Sequence, residues 1–169
     1  KMDDPRFLRE MGAYVPREVE RMDTLIRDLI DFSKPRKPVR AVVDLGALME
    51  SCVSLAAPSL AKRGISSASS LDRGLFVNID ADQVRQCAMN LILNAADAVE
   101  ENLAERPGHD AGNAPDITVT SRVVGSTARV EVADRGPGME SGMLARIFEP
   151  FYTTKKTGVG LGLPLSRQY

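Results

Sequence analysis

The segment from Ala81 to Leu103 constrains this chain more than any other, because it has to satisfy two environments at once. It is rich in good helix formers, and Asp80 with Gln83 three places later makes a capping box at its start. Residues three and four apart share a helix face, so Asn90, Asn94 and Asp97 form one polar stripe. Val84, Cys87, Ala88, Leu91, Ala95, Ala98 and Val99 occupy much of the remaining circumference. Such a helix is largely buried, and buried amides need partners. The stripe then has two readings: side chains that cap neighbouring loops or bind buried water, or one wall of a ligand site.

The rest of the chain sets bounds. Its 169 residues allow one good core and an appendage. A formal net charge of −1 gives no broad basic field toward nucleic acid or an anionic membrane. No apolar run approaches a membrane span, and the first residues do not read as a signal peptide. Cys52 and Cys87 lie in helical patterns among apolar neighbours, which fits neither a disulfide framework nor a metal site. A reducing, cytoplasmic compartment is expected.

Asp4-Pro5 opens a helix. Apolar residues then recur at Leu8, Met11, Val15, Val19, Met22, Ile26, Leu29 and Phe32, in steps of three and four. Pro16 should kink it. A single helix of this length cannot bury its stripe alone, so pairing with another copy through residues 5–33 is expected, ahead of packing on the chain's own globular part. Ser33-Lys34-Pro35-Arg36-Lys37-Pro38 makes a short extended linker, and the chain divides into 1–36 and 37–169.

Beyond the linker, helix and strand signals alternate. Val39 to Val43 reads as a strand. Asp44 caps a helix from Leu45 to Lys62, with Pro58 a distortion in it and Gly64 its end. Ile65 to Ser70 and Leu75 to Ile79 read as strands around Asp72-Arg73-Gly74. After the Ala81 helix comes a loop, 106–115, and then a hairpin: Ile117 to Val124 and Ala128 to Ala133 around Gly125-Ser126, with Ile117, Val119, Ser121 and Val123 on one face. The expected fold is α+β: an α/β sandwich with helices on one face of a mixed, mostly antiparallel sheet, preceded by a long dimerisation helix.

Three motifs carry chemistry. Asp134-Arg135-Gly136-Pro137-Gly138 puts a carboxylate at a strand end, where it can accept from an amino group, beside glycines that let a flat ring approach. Ile147-Phe148-Glu149-Pro150-Phe151-Tyr152-Thr153-Thr154-Lys155-Lys156 offers aromatic anchors, then hydroxyls and lysines that can meet phosphate. Gly158-Val159-Gly160-Leu161-Gly162-Leu163 runs into Pro164, which suits a first helical turn, so backbone N–H groups could approach an anion. Its spacing is neither that of a dinucleotide fingerprint nor that of the Walker phosphate loop.

The ordered set Asn-x-x-x-Asn-Ala, Asp-x-Gly-x-Gly, Phe-Glu-Pro-Phe-x-Thr-Thr-Lys and Gly-x-Gly-Leu-Gly-Leu resembles the ATP-binding catalytic domain of sensor histidine kinases, within the superfamily of gyrase-type and heat-shock ATPases. The resemblance covers about Val39 to Tyr169. Leu29-Ile30-Asp31-Phe32-Ser33-Lys34-Pro35 resembles the end of the second helix of that family's dimerisation hairpin, and the nitrogen-regulation type is the nearest flavour. The resemblance implies ATP and Mg²⁺ as cofactors. Asn94 would ligate the metal, and Asn90 would contact the phosphates or the metal's water shell, with Asp97 on the same nucleotide-facing stripe. Asp134 would accept from the adenine amino group, and Gly136 and Gly138 would shape the floor. Gly158, Gly160 and Gly162 would cradle phosphate, with Val159, Leu161 and Leu163 in the same binding segment. Residues from about Met139 to Thr157 would form a lid latched by Phe148 and Phe151. Thr153 and Thr154 would stand at the phosphates, and Lys155 or Lys156 would offset their charge. Asn90 and Lys155 would act in catalysis.

The family's phosphoacceptor, a histidine on the first hairpin helix, has no counterpart here, because His109 sits in a Pro/Gly loop without the usual neighbours. The chain therefore reads as a fragment that lacks the acceptor and is cut short after the glycine motif. The function implied is transfer of the γ-phosphoryl of Mg-ATP to a histidine of the dimerisation domain, for relay to the receiver domain of a response regulator. The location implied is the cytoplasm, free-standing or as the cytoplasmic part of a membrane-bound sensor. The alternatives are an ATPase or protein-serine kinase of the same superfamily, or a non-catalytic nucleotide-responsive dimerisation module. Related hydrolases commonly place Glu where Asn90 stands, and Asn cannot abstract a proton.

Overall fold

Two aspartates frame the molecule. In the computed structural model, residues 37–105, 114–155 and 158–169 are described, together with helical positions at Gly12, Tyr14, Val15, Val19, Met22, Ile26, Leu29 and Ile30. Asp44 stands where β1 (Ala41–Asp44) gives way to α1 (Leu45–Lys62). Its Oδ1 accepts from the N–H groups of Gly46 (3.0 Å) and Ala47 (3.3 Å), and its Oδ2 from Gly74 (3.1 Å). Asp80 repeats the device at the start of α2 (Ala81–Glu105), between that helix and β3 (Phe76–Ile79). Its Oδ1 accepts from Asp82 (3.0 Å) and Gln83 (3.2 Å), and its Oδ2 from Val39 (2.7 Å). Each carboxylate satisfies orphan donors of a first helical turn and also ties in a distant strand end.

α1 continues unbroken through Pro58. It ends in a Schellman motif: Gly64 takes φ 70°, its N–H bonds the Ala61 carbonyl at 3.0 Å, and the Ile65 N–H bonds that of Leu60 at 3.0 Å. Buried Leu60 and Ile65 meet there, with Arg63 at the cap.

The strands form two pieces. β1 pairs antiparallel with β3, and β2 (Ser67–Leu71) pairs parallel with β4 (Ile117–Val124), which pairs antiparallel with β5 (Thr127–Asp134). β2 and β3 therefore part company at Asp72-Arg73-Gly74. The start of α1 occupies that divide: the Leu45 N–H bonds the Leu75 carbonyl at 2.9 Å, and a Cβ on Gly46 would stand 2.1 Å from the Asp72 carbonyl oxygen. The β4–β5 turn is the expected two residues, with Gly125 at φ 62°.

The core lies between α1, α2 and the sheet. Leu48, Met49, Cys52 and Leu60 of α1 meet Ala88, Ile92, Ala95, Ala96 and Val99 of α2, over Ile117 and Val119 of β4. One expectation is corrected here. Leu91 is 37% exposed, and the buried stripe runs through Ile92 and Ala96 instead. Val123 shares the face of Ile117, Val119 and Ser121 but is 56% exposed, because the hairpin tip outruns its cover. Of the N-terminal stripe, Val15, Val19, Met22, Ile26 and Leu29 are helical and exposed, while Leu8, Met11, Pro16, Phe32 and most of the linker lie outside the described residues.

Gly46→Ala should destabilise the domain by about 2–3 kcal/mol in denaturant unfolding, because the obstructing atom is backbone and cannot rotate away. The N–H of Gly74 does most to hold the Asp44 carboxyl below its usual range, and that of Val39 does the same for Asp80. Their charged forms are favoured in the fold, so this stabilisation is complete above the ordinary carboxylate value of 3.8 and is lost as pH falls through the lowered folded values. Melting temperatures measured between about pH 6 and pH 2 should fall less steeply in Asp44→Asn/Asp80→Asn than in the parent.

Candidate active site

The polar stripe of α2 divides between two tasks. At its start Asn90 Nδ2 donates to the Gly162 carbonyl (3.3 Å) and to Ser166 Oγ (3.5 Å), which docks α4 (Gly162–Gln168) onto α2. Buried Leu161 and Leu165 support the same contact. One and two turns further on, Asn94 and Asp97 face a cavity of about 630 Å³, and Glu101 extends the stripe by one more step. That volume lies within the range of small-molecule sites.

The other walls come from later in the chain. Pro137 and Gly138 follow β5. The segment above them contains a short helix, α3 (Ser141–Leu144), and turns Met139, Met143, Ile147 and Tyr152 inward. Thr153, Thr154 and Lys155 continue that wall, and Gly158 to Pro164 closes it. The Phe151 N–H bonds the Gly160 carbonyl at 2.9 Å, so this segment is tied to the glycine segment. Gly160 has φ 71°, and a Cβ there would stand 2.5 Å from the Tyr152 carbonyl oxygen. No other residue fits that position.

Charge is concentrated at one end. Lys155 Nζ donates to Asn94 Oδ1 (2.7 Å) and to Asp97 Oδ2 (2.6 Å), while Arg63 Nη1 approaches Asp97 Oδ1 (2.6 Å) and Glu100 Oε2 (3.3 Å). Burial pushes the Asp97 carboxyl up, but the hydrogen bonds from Lys155 and Arg63 outweigh it and hold the group below its usual range. The cavity therefore places hard oxygen donors, an ammonium group and close-approach glycines around one volume. An anionic ligand with a hard divalent cation matches that chemistry.

Asp134 stands just outside this lining. Its Oδ1 accepts from the Gly136 N–H at 2.9 Å, which sets the orientation of the carboxylate. Gly136 lies against α2: a Cβ there would be 2.7 Å from Ala98 Cβ. Asn102 Nδ2 donates to the Arg135 carbonyl at 2.9 Å and fixes the same corner.

The structure thus gathers Asn94, Asp97, Gly138, Thr153, Thr154, Lys155 and the Gly158–Leu163 segment around one cavity. Asn90 is instead engaged by α4. α4 starts inside the glycine motif at Gly162 and has Pro164 in its first turn, where the sequence placed it. Phe148 and Phe151, expected as a hydrophobic latch, are 41% and 59% exposed. The Arg167 guanidinium lies 5.3 Å from the Phe148 ring centre, and Phe151 adopts φ 67°. Lys156 and His109 lie outside the described residues. Met143, not singled out by any motif, also lines the cavity, as do Ile147 and Tyr152 of the aromatic motif. The four-residue spacing of Met143 and Ile147 is the sequence signal that places them on one side.

The sequence model described as "Histidine kinase-, DNA gyrase B-, and HSP90-like ATPase" matches residues 79–169, which include every wall of this cavity. The chain belongs to that family. Family relatives extend the match toward the N-terminus. The C4-dicarboxylate transport sensor protein DctS of Rhodobacter capsulatus is 32% identical over 163 residues, covering 95% of this chain and 23% of that protein. The signal transduction histidine-protein kinase AtoS of Escherichia coli (strain K12) is 29% identical over 161 residues, covering 95% of this chain and 25% of that protein. The chain thus spans about a quarter of the length of these family members. Among solved structures, histidine kinase ThkA in complex with response regulator protein TrrA superposes with a TM-score of 0.74 at 27% identity, over 98% of this chain and 45% of that one. Full-length ShkA in complex with AMPPNP gives 0.71 at 27% identity, over 92% and 32%. The expected α/β sandwich is the fold of these family structures.

Two glycines separate backbone conformation from space. Gly138 has φ 78° with open space at its Cβ position, whereas Gly160 adds a backbone obstruction to its positive φ. Gly138→Ala should cost about 1 kcal/mol in denaturant unfolding, and Gly160→Ala about 3 kcal/mol or more.

Proposed function

We propose that this chain binds Mg-ATP in the cavity between α2 and the lid and transfers the γ-phosphoryl to a histidine of a dimerisation domain, as a protein-histidine kinase of a two-component system. The observation that carries this reading is the convergence of Asn94, Lys155 and the Gly158–Gly162 backbone on one volume. The family match supports ATP as the ligand, and the kinases among the relatives support histidine phosphotransfer.

The bound Mg-ATP supplies the reactive phosphoryl group and the divalent charge that offsets its oxygens. The protein supplies position. Asn94 would hold the metal through its amide oxygen. Asp134, oriented by the Gly136 N–H, would accept from the adenine amino group. The glycine segment would bring N–H groups to the phosphates, and Lys155 would turn from Asn94 and Asp97 to neutralise them. Catalysis of this kind is mostly positioning and charge neutralisation.

Asn90 bears on what accepts the phosphate. Its side chain is engaged by Gly162 and Ser166, and an amide has no basicity with which to activate water. That favours a histidine acceptor over hydrolysis or a serine hydroxyl. His109 is not proposed as that acceptor. The exposed helical positions described between Tyr14 and Ile30 suit a homodimer formed through residues 5–33 together with the first helix of the hairpin. Phe32-Ser33-Lys34-Pro35 and the Asn-Ala-Ala-Asp-Ala run support the nitrogen-regulation-like type. The downstream partner is a response-regulator receiver domain, in keeping with the ThkA–TrrA complex. Among the described residues no helix is long and apolar enough to cross a membrane. The sensor-kinase relatives support a cytoplasmic location for this region.

Incubated with γ-labelled ATP, Mg²⁺ and a separate protein carrying the family's full hairpin, the chain should label that hairpin in trans. The label should be acid-labile and alkali-stable, and this chain should carry none. Release of inorganic phosphate without labelling would make the protein an ATPase. Asn94→Ala and Asp134→Ala should each weaken Mg-ADP binding at least about tenfold by calorimetry.

A further inference from the structure

Asp97 carries two cations that approach from different sides. Lys155 belongs to the lid and lines the cavity. Arg63 caps α1, is not among the lining residues, and reaches Asp97 across 34 positions of sequence. The two are anchored differently. The Arg63 backbone N–H is bonded to the carbonyls of Ser59 (3.3 Å) and Leu60 (3.0 Å), at a helix end locked by the Leu60–Ile65 contact. Lys155 rides on a turn held by Thr153 Oγ1 (3.1 Å) and the Gly158 N–H (3.3 Å). One cation is part of the frame and the other is part of the lid.

In a cavity that takes phosphates, a carboxylate repels the ligand. Like charges brought into contact repel, and more strongly where water is partly excluded. While Lys155 rests on Asp97 the carboxylate is compensated on its cavity side. Once Lys155 turns to a phosphate, Arg63 is the cation among the described residues that remains on it. Resting on the nucleotide-site reading above, we propose that Arg63 is a positioning residue for nucleotide binding: it keeps Asp97 oriented and charge-compensated, so that the lid lysine can leave Asp97 and Asn94 for the phosphates. Arg63 touches neither nucleotide nor metal and acts through Asp97. Its effect therefore grows with the number of phosphates on the ligand.

The test is calorimetric titration of adenosine, Mg-ADP and Mg-ATP into the parent and the variants, with thermal melting as the folding control. Arg63→Met should weaken Mg-ATP about tenfold, Mg-ADP less, and adenosine not measurably, while Arg63→Lys recovers most of the loss. On an Asp97→Asn background the cost of Arg63→Met should vanish for all three ligands. Equal losses for all three ligands, or a loss that persists beside Asn at position 97, would overturn the proposal and reduce Arg63 to a structural tie. Should Arg63→Met not fold, Arg63→Gln keeps a neutral donor beside Asp97 and is held to the same two outcomes. If the parent itself takes up neither nucleotide, the ATP-site reading fails first, and this proposal fails with it.

Discussion

The whole arrangement depends on α2 being dry on one side and polar on the other. Ala88, Ile92, Ala95, Ala96 and Val99 face the sheet and α1, so the helix cannot rotate without exposing apolar surface. Each methylene withdrawn from water is worth about 0.8 kcal/mol, so a small rotation would cost several kcal/mol. That rigidity fixes the opposite side. Asn94 and Asp97 point into the cavity because Ala95, Ala96 and Val99 point into the core. The precision of the site is inherited from packing.

The features legible in the sequence are those decided over short spans. Asp44 and Asp80 mark helix starts because a cap acts over two or three residues, and Gly64 marks a helix end for the same reason. The two-residue hairpin turn at Gly125 is equally local. Long-range choices were not legible. Nothing around Asp72 says that the next strand joins a different sheet; the start of α1, which approaches the Asp72 carbonyl closely enough to require Gly46, lies far away in sequence. Periodicity placed Leu91 and Val123 on apolar faces, but whether a face is covered depends on where neighbouring elements end.

The site divides in the same way. The glycine segment and the α2 stripe could be read because their spacing carries the chemistry. The partners of that stripe could not. Asn90 meets Gly162 across 72 positions, and Lys155 meets Asp97 across 58. In the lid, composition pointed to the phenylalanines. The backbone turned Ile147 and Tyr152 inward instead, and left Phe148 against Arg167.

The bond between the Phe151 N–H and the Gly160 carbonyl pins both ends of the loop that carries Lys155. A group tethered in this way samples a small volume, and short tethers give effective concentrations of order millimolar or above. The lysine can thus compete as a built-in counterion, independently of the salt around it. Monovalent ions in solution arrive singly against that local concentration. A ligand bearing several linked phosphates and a divalent cation arrives with comparable multiplicity, and so has the means to exchange with it.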